Sequence, residues 1–196
     1  CPNEAIVALT DPFGELSKFK HTVAIPSPAL YAQFGRSILP DRILAGLKKL
    51  GFDDAVDLAI TCGDTSLAIE QFLEEYKGPK PLILNACPSV VRLVQVKYPQ
   101  LVDHILPITL PKKLAAEQIK EIKSAEHGLD PKEIGVFYIT PCPVKMIALR
   151  QPPDKGGCYL DGAISISDIY SSLFSALEDV GQGSYRKGLE GICILG

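Results

Sequence analysis

The sequence has no tryptophan, one methionine and three histidines in 196 residues, so the chemistry those side chains carry has few places to sit. It also lacks a cysteine pair two residues apart, the spacing that a zinc knuckle or a thioredoxin-type redox site needs. No stripe of lysine and arginine interleaved with aromatics is present, and the net charge of −3 comes from interspersed signs. A phosphate backbone has nothing to grip, which excludes nucleic acid as a partner. The longest apolar runs, such as Pro81 to Ala86 and Ile134 to Ile139, fall far short of the ~20 residues of a spanning helix. No membrane span is expected.

What is there suits one ordinary globular domain: 46% of residues are hydrophobic and 22% charged, enough to bury a core without staples. The six cysteines, Cys1, Cys62, Cys87, Cys142, Cys158 and Cys193, are an even number that three disulfides would use. They are widely scattered, however, whereas disulfide scaffolds are small and cysteine-dense. A reducing, cytoplasmic setting is the expectation. The chain opens at Cys1 and stops at Gly196 just after the apolar run Ile192–Leu195, and both ends read as cut from a longer protein.

From Lys20 onward, short β-branched runs alternate with stretches of helical period. The spacing predicts strands at His21–Ile25, Ala55–Ile60, Pro81–Ala86 and Ile134–Thr140. Helices are predicted at Arg42–Leu50, ended by Gly51; from Asp64 as N-cap to Gly78-Pro79, with Leu67, Phe72, Leu73 and Tyr76 on one stripe; and at Pro88–Lys97, Pro111–His127 and Ser167–Leu177, the last opened by Ser165 or Ser167. Gln151–Cys158 is the one clear long loop. Strands alternating with helices predict an α/β fold with a mainly parallel sheet flanked by helices.

Two predicted strands end alike, in Asn85-Ala86-Cys87-Pro88 and Thr140-Pro141-Cys142-Pro143. Ligands of open α/β sheets bind outside the carboxyl ends of strands, and a proline suits the first helical position. A thiolate there is favoured by unpaired N–H groups and the helix dipole, which serves nucleophilic attack or metal ligation. A lone cysteine is more often a small core hydrophobe; two at equivalent positions argue for function. A thiol nucleophile needs a histidine base, and His21, His104 and His127 stand in no such motif, so structural or surface roles are expected for them. Two distant cysteines facing one cleft suit an iron–sulfur cluster, which requires four thiolates.

These residues carry a resemblance. Asn85-Ala86-Cys87-Pro88-Ser89 resembles the Cys-Cys-Pro segment of iron-only hydrogenases, and Thr140-Pro141-Cys142-Pro143-Val144-Lys145 resembles their Met-Pro-Cys-x-x-Lys. Further segments follow in order: Ile25-Pro26-Ser27 with Gln33-Phe34-Gly35, Leu47 to Asp53, and Gly63-Asp64-Thr65-Ser66 through Glu70. Cys1-Pro2 resembles the last cysteine of a ferredoxin motif. The likeness covers roughly residues 20 to 180. It implies residues 1–19 as the tail of an upstream ferredoxin-like region and linker, and 20–196 as a hydrogenase-like domain of the two-lobed family fold, truncated at its C-terminal end.

The resemblance implies Cys87 and Cys142 as two of four ligands of a 4Fe–4S cluster bridged to a diiron unit, together the H-cluster, with Cys1 serving an upstream cluster. It implies Lys145 as a donor to a cyanide ligand, and Pro26 and Ser27 as lining the diiron pocket. The other two cluster ligands belong to a missing C-terminal half, so this fragment is expected to hold no complete cluster.

Departures from the pattern weigh on function. Where turnover hydrogenases place a proton-passing cysteine stands Ala86; their inner glutamate registers on Leu73, their serine on Leu106, and only the outer glutamate remains, as Glu70. Thr140 replaces a methionine. A relay with one polar station of four is slow. The resemblance therefore implies a sensory member, detecting hydrogen or redox state, with electrons from the upstream region and a downstream PAS, kinase or phosphatase output module. The alternatives are a cluster-assembly factor of the same fold, or a degenerate metal-free interaction module.

Overall fold

The computed structural model describes residues 9–35, 37–150 and 159–179. Four parallel strands form its sheet: β1 (His21–Pro26), β2 (Asp54–Ala55), β3 (Ile134–Thr140) and β4 (Gly162–Ser165), in the order β2-β1-β3-β4. The helices are α1 (Pro28–Tyr31), α2 (Pro40–Lys49), α3 (Ala59–Glu75), α4 (Pro88–Lys97), α5 (Pro111–His127), α6 (Pro143–Arg150) and α7 (Ile166–Asp179). The sheet alternates its buried side chains between two layers, as period two dictates. Ala24, Phe137, Ile139 and Ile164 meet Leu30, Ile43, Leu47 and Leu173 on one face. Val23, Ile25, Val136 and Tyr138 meet Leu58, Ala115, Ala116 and Ile119 on the other. Both faces are covered, as a parallel sheet requires.

Local chemistry sets the ends of these elements. Pro40 and Pro111 open α2 and α5 from the position where a missing N–H costs nothing. Gly51 and Gly128 take φ of +117° and +64° just after them, conformations that side chains with a Cβ resist. Asp130 and Glu133 close a capping box before β3. Ahead of β1, Asp11 pairs with β4 through its own N–H to the Ala163 carbonyl at 2.8 Å and accepts the Ala163 N–H at 2.7 Å. Thr10 Oγ1 accepts the Ser165 N–H at 2.9 Å.

Two predicted strands are corrected. Ala55–Ile60 contributes only Ala55 to a two-residue β2, because Asp57 takes the Ala59 N–H at 3.0 Å and turns the chain into α3 at once. Asp64 is therefore no N-cap; it lies exposed inside α3. The stripe predicted for that helix is also displaced: Leu67 and Leu73 face solvent at 59% and 44% exposure, while Thr61 and Thr65 turn inward. Pro81–Ala86 is irregular backbone outside the sheet, joined to the chain ahead of α5 by a single parallel bridge between Ile83 and Ile105. The predicted Pro88–Lys97, Pro111–His127 and Ile134–Thr140 match α4, α5 and β3 end for end, and α7 is opened by Ser165, whose Oγ accepts the Ser167 N–H at 3.3 Å. The loop predicted at Gln151–Cys158 lies outside the described residues.

Candidate cluster-binding site

β3 delivers Cys142. The Thr140 hydroxyl accepts the Cys142 N–H at 3.3 Å, and the Cys142 carbonyl accepts the N–H groups of Lys145 and Met146 at 3.1 and 3.3 Å. Cys142 thus sits just ahead of Pro143, at the mouth of α6, and the fully buried Met146 pins that helix down. Cys87 holds the same station on α4: its backbone is extended, Pro88 follows, and its carbonyl accepts the Val91 N–H at 3.1 Å. Both thiols are free; Cys87 is exposed and Cys142 half-buried. Among the described residues, no three histidine, cysteine or acidic side chains come together as a metal site.

No strand leads into Cys87, so side contacts fix its approach. The Ile83 N–H donates to the His104 carbonyl at 2.8 Å, Leu106 N–H returns to the Ile83 carbonyl at 2.9 Å, and Asn85 Nδ2 donates to the Ile108 carbonyl at 2.7 Å. His104 Nδ1 lies 2.7 Å from the Pro81 carbonyl, a structural tie. α4 and α6 pack together. A cavity of about 450 Å³ lies against both, lined by Pro88, Val91, Leu149, Asn85, Lys112 and Ile108 among others.

At the carboxyl ends of β1 and β3 the side chains gather around Tyr138. Ser27 follows Pro26, its N–H donates to the Ile139 carbonyl at 2.8 Å, and its carbonyl receives the Leu30 N–H at 2.9 Å. The Ser27 hydroxyl is buried without a hydrogen-bond partner of proper geometry. Tyr138, paired with Ile25 across the two strands, has its hydroxyl pushed up to about 12, first by burial and next by the Cys62 thiol, with Cys142 adding to the rise while Ser27 and Thr140 oppose it. Over its ring lie the ammonium of Lys145, 6.0 Å from the centroid, and that of Lys112, at 5.5 Å. A buried cation beside an aromatic face is favoured by the ring quadrupole.

Of the residues singled out in sequence, Ser27, Cys142 and Lys145 therefore meet at one tyrosine, with Pro26 at the end of β1 beside them. Ala86 lies exposed in the turn before Cys87, Glu70 and Leu73 lie exposed on α3, and Leu106 is buried. Cys1 lies outside the described residues. His21, at the start of β1, and His127, at the end of α5, lie with ring centroids 4.3 Å apart and planes tilted by 32°. Sequence reasoning missed Tyr138, Cys62 and Lys112. Tyr138 lay within the predicted strand Ile134–Thr140, Cys62 in the predicted strand-to-helix junction, and Lys112 within the predicted helix Pro111–His127, none of them marked by a motif.

A search of protein families matches residues 20–173 to the iron only hydrogenase large subunit, C-terminal domain. Among curated proteins, iron hydrogenase 1 of Clostridium pasteurianum is 26% identical over 180 residues, 82% of this chain and 31% of the relative. The periplasmic Fe hydrogenase large subunit of Nitratidesulfovibrio vulgaris is 28% identical over 145 residues, 68% of this chain and 34% of its own length. Among solved structures, a variant of the FeFe hydrogenase HydA1 from Chlamydomonas reinhardtii superposes with a TM-score of 0.68 at 19% identity, covering 87% of this chain and 49% of that one. The chain spans about a third of the curated relatives it matches and about half of that solved chain. Among the described residues no helix is long and apolar enough to cross a membrane.

Proposed function

The chain belongs to the iron-only hydrogenase large-subunit family, and from that premise we propose that it forms the first half of a cluster-binding oxidoreductase domain that senses hydrogen or redox state and turns hydrogen over slowly. The donor set fits half of a 4Fe–4S site: two free thiols, each at the mouth of a proline-opened helix. When bound, the cluster and its diiron unit supply the electrons and the place where hydrogen is held. Cys87 and Cys142 would each contribute one thiolate to the cluster. The Ser27 hydroxyl, buried and still in need of a partner, and the Lys145 ammonium would donate to anionic ligands in the Tyr138 pocket. Pro26 would exclude water from its wall.

One observation carries the sensory part of this reading. The residue beside Cys87 is Ala86, a methyl group with no proton to pass, and the positions that register on the family's glutamate and serine are Leu73 and Leu106. The test uses the full-length protein after maturation. Infrared bands of CO and cyanide are expected, with slow hydrogen turnover that Ala86→Cys raises, by up to the roughly 10²–10⁴-fold of a general acid–base group. Bands with fast turnover in the parent protein would refute the sensory reading. Absence of bands after competent maturation would favour the assembly-factor reading or the metal-free module.

A further inference from the structure

Lys112 is charged, buried and unmarked by any motif. It stands in the first turn of α5, directly after Pro111, and is only 7% exposed. Its ammonium lies 5.5 Å from the centroid of the Tyr138 ring, and the Lys145 ammonium, carried by α6, lies 6.0 Å from the same centroid. Two helices therefore bring two positive charges to one ring. A third donor comes from the end of β1, where pairing of Ile25 with Tyr138 and of Pro26 with Ile139 sets Ser27 at this end of the sheet. Ser27 is 4% exposed, and its hydroxyl is buried without a hydrogen-bond partner of proper geometry. Lys112 also borders the cavity of about 450 Å³ that lies against α4 and α6, whose walls are mostly apolar and include Val91, Ile105 and Leu149.

An ammonium offers only donors, and a serine hydroxyl adds one more. The ring quadrupole favours each cation singly, yet two cations at one ring repel each other, and a negative charge near both turns that repulsion into attraction. Apolar walls select among anions, because a strongly hydrated one such as phosphate loses more on leaving water than a weakly hydrated, monovalent one. We infer that Lys112, Lys145 and Ser27 form one site for a small monovalent anion of the cyanide class, with Lys112 as its second ammonium. The site consists of this chain's own side chains and needs no cluster in order to exist. Two sources carry the same chemistry, a free pseudohalide and a cyanide ligand of the diiron unit; the second rests on the hydrogen reading above. Lys112 arrives from the helix before β3 and Lys145 from the helix after it, so the two charges are placed independently and the loss of one leaves the other in position.

Two measurements test the inference. In this chain as it stands, titration with thiocyanate, followed by its C≡N infrared stretch, is expected to show saturable binding that Lys112→Met weakens at least about tenfold, the worth of one charge-assisted hydrogen bond. Lys112→Arg is expected to keep the binding, and so is Lys132→Met, which removes an equal charge from the opposite end of β3. A lysine that only packs on the ring would leave thiocyanate binding unchanged in Lys112→Met; that result, or no saturable binding by the parent chain, overturns the site. In the maturated full-length protein, Lys112→Met is expected to shift a cyanide band, and Lys112→Arg to return it toward the parent position. Cyanide bands present and unmoved by Lys112→Met overturn the diiron ligand as the source of the anion. Absence of bands in the parent sinks the hydrogen reading alone, and the thiocyanate titration then decides the site by itself.

Discussion

Asp161 is the residue on which the placement of β3, and so of Tyr138 and Cys142, is expected to depend most. Its carboxylate accepts the Val136 N–H at 2.8 Å and the Lys120 ammonium at 2.9 Å. The side chains of Lys120 and Asp161 are only 11% and 21% exposed. Asp161→Ala leaves a strand N–H without its acceptor, a loss of ~1–3 kcal/mol. It also strands a nearly buried ammonium; breaking a fully buried pair costs ~3–5 kcal/mol, and the residual access of water to both groups brings this to about 2. The two losses overlap, so a total near 3 kcal/mol is expected, a large share of the ~5–15 kcal/mol that holds a domain together. Asp161→Asn keeps a carbonyl oxygen for Val136 and gives up only the charge, so about 1–2 kcal/mol is expected. Urea unfolding followed by circular dichroism measures both, and adding Lys120→Met to Asp161→Asn is expected to recover most of the smaller loss. A loss under about 1 kcal/mol for Asp161→Ala, or no rescue by Lys120→Met, would refute this account of the pair.

Stability is expected to fall between about pH 7.5 and about pH 5.5, because His21 is lowered from its ordinary 6.5, first by burial and next by His127 and Lys123, with Asp53 and Asp54 opposing. The unfolded chain then binds the extra proton, so the contribution is complete above the unfolded value and is lost as pH falls; His21→Asn should flatten the urea-midpoint profile in that window. Asp54, which Lys123 and Lys48 hold below its usual value against burial, loses its contribution only in the more acidic range below 3.8, so the two effects separate. At Gly46 a Cβ would lie 2.7 Å from Leu173 Cδ1 and 3.0 Å from Leu177 Cδ2. Gly46→Ala is expected to be near neutral, as a helix gain of ~1 kcal/mol offsets a shift of two leucine ends, while Gly46→Val should cost about 2–3 kcal/mol in the same assay. Iron analysis after anaerobic reconstitution of these 196 residues is expected to fall well short of four irons per chain, since two thiolates are half a cluster's ligand shell; stoichiometric four-iron binding by a monomer would overturn that.

Most helices and the central strands were legible because their signals are local. Pro88, Pro111 and Gly128 mark helix ends by what their backbones forbid, and β3 is a run of seven buried residues whose alternation the sheet enforces. The failures share a cause. Ala55–Ile60 and Pro81–Ala86 have strand-like composition, but strand formation depends on a partner, and composition does not supply one. In the first, Asp57 takes the Ala59 N–H and turns the chain into α3; in the second, the His104 and Ile108 carbonyls supply the hydrogen bonds that a sheet would have given.

The site divides in the same way. Cys87, Cys142 and Lys145 were legible because each stands next to a proline or at a fixed step from one, so the helix start sets where the side chain begins. Tyr138 could not be found by that route. Its place comes from register: pairing with Ile25 brings it to the end of β1 where Ser27 follows, and only the closed sheet packs Cys62 of α3 against the layer that holds it. The same logic bears on Ala86. From sequence its methyl group looks like a break in the one available route, because a linear motif shows only its own neighbours. In the folded chain Ala86 lies exposed in the turn before Cys87, whereas Ser27 and Lys145 come to the Tyr138 end of β3 from other elements.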